Sequence, residues 1–345
     1  MRIHNMKKAL LSVVLCFSLS LAGILEASAQ LNIFSNKNKM YQYSTVAIGG
    51  GTSHYFGDLS PYGTFYYGLI TNVRWNGTIN YTRHFTPRIA ARVAFTYARI
   101  AGDDFTYAKK NLDRFYGFYM RNLHFRNDIK EFTISGIFNL LHTDAKGLKG
   151  RNLVMPYAVA GIGFYAHNPK ARESATDATT GTYKGLGNWI PLKDLETSGQ
   201  GLGAPYPKPY SLVQLVVPVG LGLKIRVNQK FDINLEGGFR LTPFDYLDDV
   251  GASPYPTGLG SPEAVAFSNR YAENYSAVTG KSRIDDFQSI VVNRYGAPAG
   301  QTPFANGLGY SAGSDRGAPR WDSYFLTQIT VSYVIGDGVK CPPIR

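Results

Sequence analysis

Apolar and polar side chains alternate through residues 231–242 (FDINLEGGFRLT). The odd positions hold apolar residues or glycine, whereas the even positions, apart from one glycine, are polar: Asp232, Asn234, Glu236, Arg240 and Thr242. This period of two predicts a β-strand with one apolar face and one charged face. A soluble sandwich buries such an apolar face, whereas a membrane barrel turns it to lipid and encloses the charged face. One strand does not decide between them.

Seven further segments show the same alternation to differing degrees, and the segment 155–166 is the most weakly patterned. The eight predicted strands are 44–51, 73–82, 89–98, 131–141, 155–166, 213–227, 231–242 and 324–335. Connections after the second, fourth and sixth strands are short, and those after the first, third, fifth and seventh are long. This rule predicts an all-β fold: an eight-stranded antiparallel transmembrane outer-membrane β-barrel with short periplasmic turns and long extracellular loops.

The N-terminus predicts export. Arg2, Lys7 and Lys8 precede an apolar run at 9–24, and the small residues of Ala27–Ala29 follow. We expect a signal peptide over 1–29, although lipoprotein processing at Cys16 is an alternative that the bulky preceding leucine disfavours. Residues 30–345 then form one barrel domain with long outer loops at about 168–209 and 245–322 and a periplasmic tail at 336–345.

Composition supports a barrel but admits an exported all-β soluble protein as well. The chain holds 24 Tyr, 20 Phe and 37 Gly, with a formal net charge of +12. No second apolar run reaches the roughly 18 to 20 residues of a spanning helix. Of the two cysteines, only Cys341 remains after the expected cleavage, so we expect no internal disulfide.

The charged faces of the strands predict what fills the lumen. Eight strands enclose a space just wide enough for side chains, so charges there should pair with one another. The predicted network contains Arg74, Arg92, Glu131, Lys224, Arg226, Asp232, Glu236 and Arg240. An ion path or a catalytic pair is the alternative, but a plug fits so small a barrel better.

Acids at the ends of the first, third and seventh strands should share the outer rim. They are Asp58, Asp103, Asp104, Asp245, Asp248 and Asp249. Their carboxylate oxygens could bind calcium, or could bind lipopolysaccharide phosphates through bridging divalent ions. Pairing with Arg99, Arg121 and Arg126 is the favoured interpretation. No histidine stands in a catalytic motif, and a rim set of His124, Asp128 and Asp103–Asp104 is the best enzymatic alternative. We expect no enzyme activity, cofactor or metal.

A basic turn follows the fourth strand at residues 142–153. Its charged residues Lys146, Lys149 and Arg151 are candidates for contact with a periplasmic partner, or are simply solvated. Sequence alone does not separate these two interpretations.

Six short motifs, in order, resemble a known family. They are YFGDL (55–59), RIAGDD (99–104), RNLHFR (121–126), PYAVAGIGFYAHNPK (156–170), YSL (210–212) and DYLDD (245–249). In this order they are similar to the PorG-like outer-membrane β-barrels of the Bacteroidetes type IX secretion and gliding machinery. Residues 252–321 carry none of these motifs.

The resemblance implies a non-enzymatic accessory barrel of a protein-secretion apparatus. Such barrels associate with a periplasmic ring built from a lipoprotein and its partner. The contact surface here would be 142–153, with the tail at 336–345. Outer-membrane lipid and lipopolysaccharide are further expected partners, and nucleic acid is not. Three alternatives stay open: a surface barrel whose loops bind glycans or other ligands, a lipid-modifying enzyme and a small channel.

Overall fold

Eight long strands form the body of the protein. The computed structural model describes residues 42–60, 65–141, 151–306 and 314–336. The barrel strands are Tyr43–Phe56 (β1), Arg74–His84 (β2), Ile89–Asp103 (β3), His124–Asn139 (β4), Val154–Ala166 (β5), Val213–Arg226 (β8), Phe231–Leu241 (β9) and Ser323–Gly336 (β10). Two short strands, Lys170–Arg172 (β6) and Trp189–Pro191 (β7), lie in the loop between β5 and β8.

The eight strands close into a barrel. Their order is β3-β2-β1-β10-β9-β8-β5-β4, and β3 also pairs with β4, which joins the two ends. Every neighbouring pair is antiparallel. β1 and β10 approach closely enough that a Cβ at Gly49 would lie 2.0 Å from the Ile329 carbonyl oxygen, so this position requires glycine. The predicted closed eight-stranded barrel is confirmed.

The two faces of the strands have opposite chemistry. Large apolar side chains on the outward face are exposed, with Ile48 at 67%, Leu221 at 66% and Ile329 at 60%. Inward residues such as Asp232 and Glu131 are at most 1% exposed. Exposing this outward apolar surface to water would be unfavourable in free energy, whereas contact with lipid hydrocarbon is favourable. The alternation is therefore that of a membrane barrel and not of a soluble sandwich.

Short turns lie at one end of the barrel. Between β2 and β3, the Phe85 amide donates to the Ile89 carbonyl at 3.0 Å, and Thr86 Oγ1 accepts from the Ile89 amide at 2.9 Å. Between β8 and β9, Asn228 Oδ1 accepts from the amides of Lys230 and Phe231 at 2.8 and 2.9 Å. Asn and Thr side chains favour such turns because they bond to the backbone locally.

The opposite end carries the long connections, which fold together over the barrel mouth. We call them the loop cap: residues 57–73, 104–123, 167–212 and 242–322, where described. Their α-helices are Phe65–Ile70 (α1), Asp104–Ala108 (α2), Leu112–Arg121 (α3), Pro262–Ser268 (α4), Ile284–Tyr295 (α5) and Pro303–Asn306 (α6), and Lys193–Leu195 forms a short 3-10 helix. Among the described residues, no helix is long and apolar enough to cross a membrane.

Two sequence predictions need correction here. The polar, aromatic stretch 102–122, expected only as a connection between the third and fourth strands, holds α2 and α3, and β4 begins at His124 rather than near Glu131. The alternation fades before these strands end because their outward residues become charged there, as at Arg99 and Lys130. The segment 168–209, expected to be irregular, contains the β6–β7 hairpin.

Candidate functional site

The lumen is crossed by ion pairs between strands. Arg92 Nη1 of β3 lies 2.6 Å from Glu236 Oε2 of β9, and the Tyr157 hydroxyl of β5 donates to the same oxygen at 2.8 Å. The Arg92 guanidinium also lies 5.7 Å from the centre of the Tyr157 ring. Charges this deeply enclosed need partners to offset lost hydration. Glu236 therefore ties β3, β5 and β9 together across the barrel.

A second layer lies nearer the loop cap. Arg240 Nε is 3.4 Å from Glu131 Oε1, and the Tyr324 hydroxyl donates to Glu131 Oε2 at 2.5 Å. Glu131 of β4 therefore bonds across the lumen to Arg240 and Tyr324, which lie on the neighbouring strands β9 and β10. Together with the Arg92 layer, they fill the interior with hydrogen-bonded side chains.

The short-turn end is closed by Arg151. Its guanidinium forms an ion pair with Asp232 and donates to the carbonyls of Asn228 and Gln229 at 3.2 and 3.0 Å. It also lies 5.5 Å from the centre of the Tyr43 ring. Arg151 thus has a structural role inside the barrel, which its place in the basic turn did not suggest. Lys146 and Lys149 lie outside the described residues, and the partner contact of all three residues stays a prediction.

The remaining charges of the predicted network lie in separate places. Lys224 lines a small polar cavity toward the short-turn end, beside His84 and Asn234. Arg226 ends β8, where its backbone amide donates to Leu153 at 2.8 Å. Arg74 begins β2 at the cap end, and its side chain donates to the Val73 carbonyl at 2.8 Å. The structure therefore brings Arg92 to Glu236 and Glu131 to Arg240, and pairs Asp232 with Arg151.

Arg121 is the centre of one buried network in the loop cap. Its Nε and Nη2 donate to the two carboxylate oxygens of Asp104 at 2.7 and 2.9 Å. Nη2 also donates to the Asp58 carbonyl at 2.7 Å, and Nη1 donates to the Arg316 carbonyl at 3.1 Å. One guanidinium therefore joins the β1–β2, β3–β4 and β9–β10 loops.

Asp249 is the centre of a second network. Its carboxylate accepts from the Tyr210 hydroxyl at 2.7 Å, from Gln200 Nε2 at 3.2 Å and from the Thr197 hydroxyl. Its backbone carbonyl accepts from Arg316 Nη1 at 2.8 Å. These contacts add the β5–β8 loop to the other three, so all four long loops are cross-linked by buried hydrogen bonds.

A cluster of acids lies between the two networks. The Tyr55 hydroxyl is 2.7 Å from Asp248 Oδ2 and 2.8 Å from Asp322 Oδ1. Burial, with the charges of Asp58 and Asp248, raises the pKa of Asp245 to about 8. Burial and neighbouring acids also raise the pKa of Asp248 and of Asp322. Carboxyls so close together share protons instead of all carrying charge.

The residues of the predicted rim set make separate contacts. His124 Nε2 accepts from the Arg172 amide at 2.9 Å, Asp128 pairs with Arg99 at 2.5 Å, and Asp103 caps α2. Within the described ranges, no group of three or more His, Cys, Asp or Glu residues is arranged to hold a metal ion. Of the three arginines expected to pair with the six rim acids, Arg121 pairs with Asp104, whereas Arg99 pairs with Asp128, which is not one of the six.

A pH prediction follows from the acid cluster. Because the folded pKa of Asp245 lies above its ordinary value of about 3.9, the protonated form favours the closed cap. The stabilisation is complete below pH 4 and is lost as pH rises through about 8. We expect the thermal transition of the cap, followed by tyrosine fluorescence, to fall between pH 6 and pH 9. Asp245→Asn should flatten this dependence, and an unchanged slope would contradict the assignment.

The closed eight-strand ladder, the exposed apolar belt and the charge-filled lumen define an outer-membrane-type β-barrel. A family model described as "Domain of unknown function (DUF6089)" matches residues 27–191, just under half of the chain. No curated protein matches the chain.

Several solved structures are similar over 85% of this chain. Ail, the attachment invasion locus protein of Yersinia pestis, in complex with the heparin analogue sucrose octasulfate, is 9% identical, with a TM-score of 0.33 and 99% of its chain covered. Neisserial surface protein A is 7% identical, with a TM-score of 0.32 and 95% covered. The N-terminal barrel domain of Pseudomonas aeruginosa OprF is 8% identical, with a TM-score of 0.28 and 97% covered.

Proposed function

We propose that this barrel is a non-enzymatic component of a type IX protein-secretion apparatus. Residues 1–29 direct export, the short turns and both termini face the periplasm, and the loop cap faces outward. The short-turn end contacts a periplasmic ring built from a lipoprotein and its partner. Lipid, including lipopolysaccharide, surrounds the barrel wall.

This proposal rests mainly on the position of the PorG-like motifs, whose residues come together in the loop cap. Tyr55, Asp104, Arg121, Tyr210 and Asp249 come from five of the six motifs, and all lie in the buried networks of the loop cap. Tyr55 and Asp248, which stand 193 positions apart in two of these motifs, are in direct contact. Residues from these motifs therefore pack together in the loop cap. This supports the proposal that the resemblance to PorG-like proteins applies to the whole barrel and not only to the short motifs.

The filled lumen supports an accessory role. Cross-strand pairs at Arg92 and Arg240 occupy the interior of a barrel with only eight strands. A folded polypeptide needs a far wider passage, so the secreted protein would cross the membrane through another component. The proposed task of this barrel is attachment of the apparatus to the membrane.

A pull-down from crosslinked envelopes tests this function. We expect the tagged wild-type barrel to recover the ring lipoprotein and its partner. The Lys146→Ala/Lys149→Ala variant should lose most of this recovery, whereas Lys184→Ala/Lys208→Ala in the loop cap should keep it. Arg151 is left in place because its loss would open the barrel end. Equal recovery by both variants would contradict contact through the basic turn.

A surface barrel that binds ligand through its loops is the second candidate. The loop cap exposes the aromatic side chains of Tyr183, Tyr295 and Trp321. Because the loops are cross-linked, these rings would present a fixed binding surface to a ligand. Recovery of surface ligands without ring components in the same pull-down would support this candidate and overturn the first.

A further inference from the structure

A group of basic side chains lies on the outer wall of the barrel, at the end that carries the loop cap. We call it the basic patch: Arg99, Arg126, Lys130, Lys170 and Arg172. It spans the cap ends of β3 and β4 and the short strand β6, where Arg126 is directly opposite Lys170. Asp128 lies among these cations and pairs with Arg99 at 2.5 Å. The patch therefore has a strong positive excess.

The basic patch begins where the apolar belt ends. Along β4 the outward residues pass from the exposed Ile134 and Phe132 to Lys130, Asp128 and Arg126. β3 makes the same change from Phe95 to Arg99. This is the height at which the headgroups of a lipid leaflet meet a barrel wall.

The patch occupies one side of the barrel only. Toward the cap end of β8, β9 and β10, the outward residues are apolar: Leu215, Leu241 and Phe325. A general preference for headgroups would distribute basic residues around the whole rim. Concentration on one side indicates a localised binding site.

Three arginines of the basic patch lie close to tryptophan rings. The guanidinium carbons of Arg126 and Arg172 lie 4.5 and 5.7 Å from the centre of the Trp189 ring. Arg99 lies 5.9 Å from the ring of Trp75. Stacking on Trp189 orients the guanidinium groups of Arg126 and Arg172, and the buried Nε of each has no acceptor in the described structure, whereas Asp128 already accepts from Nε and Nη2 of Arg99. The arginines are thus prearranged.

Arg126 lacks an anion of its own. Among the residues that the structure describes, its guanidinium forms no ion pair within 4.0 Å and its buried Nε has no acceptor. Arg99 and Arg172 lie near enough to repel it, and the nearby anion, Asp128, is paired with Arg99. Holding like charges together is unfavourable unless an anion joins them. An acceptor with several oxygens would satisfy Arg126 and its neighbours at once.

We propose that the basic patch binds the phosphate groups of a phosphorylated glycolipid in the outer leaflet. Phosphate matches the forked guanidinium geometry, and the adjoining Phe95 and Phe132 offer an apolar surface to the acyl chains. That continuity favours a lipid over a soluble polyanion. This inference rests on the outward orientation of the cap under the proposed function, and not on a secretion role.

Lipid binding to the full-length barrel in detergent tests the proposal. Native mass spectrometry would compare phosphorylated lipid A with the same lipid after phosphate removal. We expect wild type to prefer the phosphorylated form, and Arg126→Gln/Arg172→Gln to weaken that binding about 25-fold, since one basic side chain at a lipid surface contributes about fivefold. The control Lys184→Gln/Lys281→Gln, on exposed loop positions, should bind as wild type.

Three results would overturn the proposal: equal binding of both lipid forms, no loss in the arginine variant, or stronger binding of inorganic phosphate or a sulfated polysaccharide than of the lipid. Folding is checked by heat-modifiable gel mobility. If the arginine variant does not fold, Lys130→Gln/Lys170→Gln replaces it. Ring recovery from envelopes is scored separately, so failure of lipid binding is distinguishable from failure of the secretion role.

Discussion

Replacing Arg121 with leucine is expected to open the loop cap. The change leaves the Asp104 carboxylate buried without its cation and removes the donors to the Asp58 and Arg316 carbonyls. Breaking a buried pair by removing one partner costs about 3–5 kcal/mol. The Leu123 amide, which donates to Asp104 Oδ2 at 3.0 Å, reports this opening directly by hydrogen exchange.

The pair between Arg294 and Asp113 provides the matched control. It joins the same β3–β4 and β9–β10 loops, but Asp113 is 99% exposed and Arg294 is 40% exposed. Exposed pairs contribute little to stability, so Arg294→Leu should leave the Leu123 exchange rate nearly unchanged. Equal protection in the two variants would show that Arg121 does not hold the cap together.

Replacing Glu236 with leucine is expected to destabilise the barrel itself. Arg92 would then be enclosed without its anion, and the Tyr157 hydroxyl would lose its acceptor. We expect the free energy of unfolding, measured by urea titration of the refolded barrel in lipid vesicles, to fall by about 3–5 kcal/mol.

The double variant Arg92→Leu/Glu236→Leu isolates the charge effect. Removing both partners eliminates the uncompensated guanidinium, and apolar replacements of similar volume are often neutral. The double variant should recover most of the stability that the single variant loses. If the single and double variants are equally unstable, the pair acts through packing, and the account of a charge-filled lumen is wrong.

The strands were predictable because lipid and lumen select opposite residues at alternate positions. From 213 to 227 the apolar residues recur at every second position, and β8 occupies Val213–Arg226. The same alternation in the sequence predicted that Arg92, Glu236, Glu131 and Arg240 face the lumen. It could not assign their partners, since pairing depends on which strands face each other across the closed barrel.

The loop cap could not be predicted in the same way. Its contacts join residues far apart in sequence, as Arg316 Nη1 does with the Asp249 carbonyl, and no periodicity marks them. Arg270 and Arg283 are at most 2% exposed, although charged residues in loops are ordinarily expected in solvent. Arg151 was assigned to a solvated turn or a partner contact because nothing nearby in the sequence revealed Asp232.

Photocrosslinking from the two ends of the barrel tests the central claim most directly. A photoreactive residue would replace Gln229 in the β8–β9 turn, or the exposed Tyr295 of the loop cap, in living cells. We predict adducts with the periplasmic ring components from position 229 and none from position 295. Ring adducts from position 295 alone, or from neither position, would contradict the proposed attachment through the short-turn end.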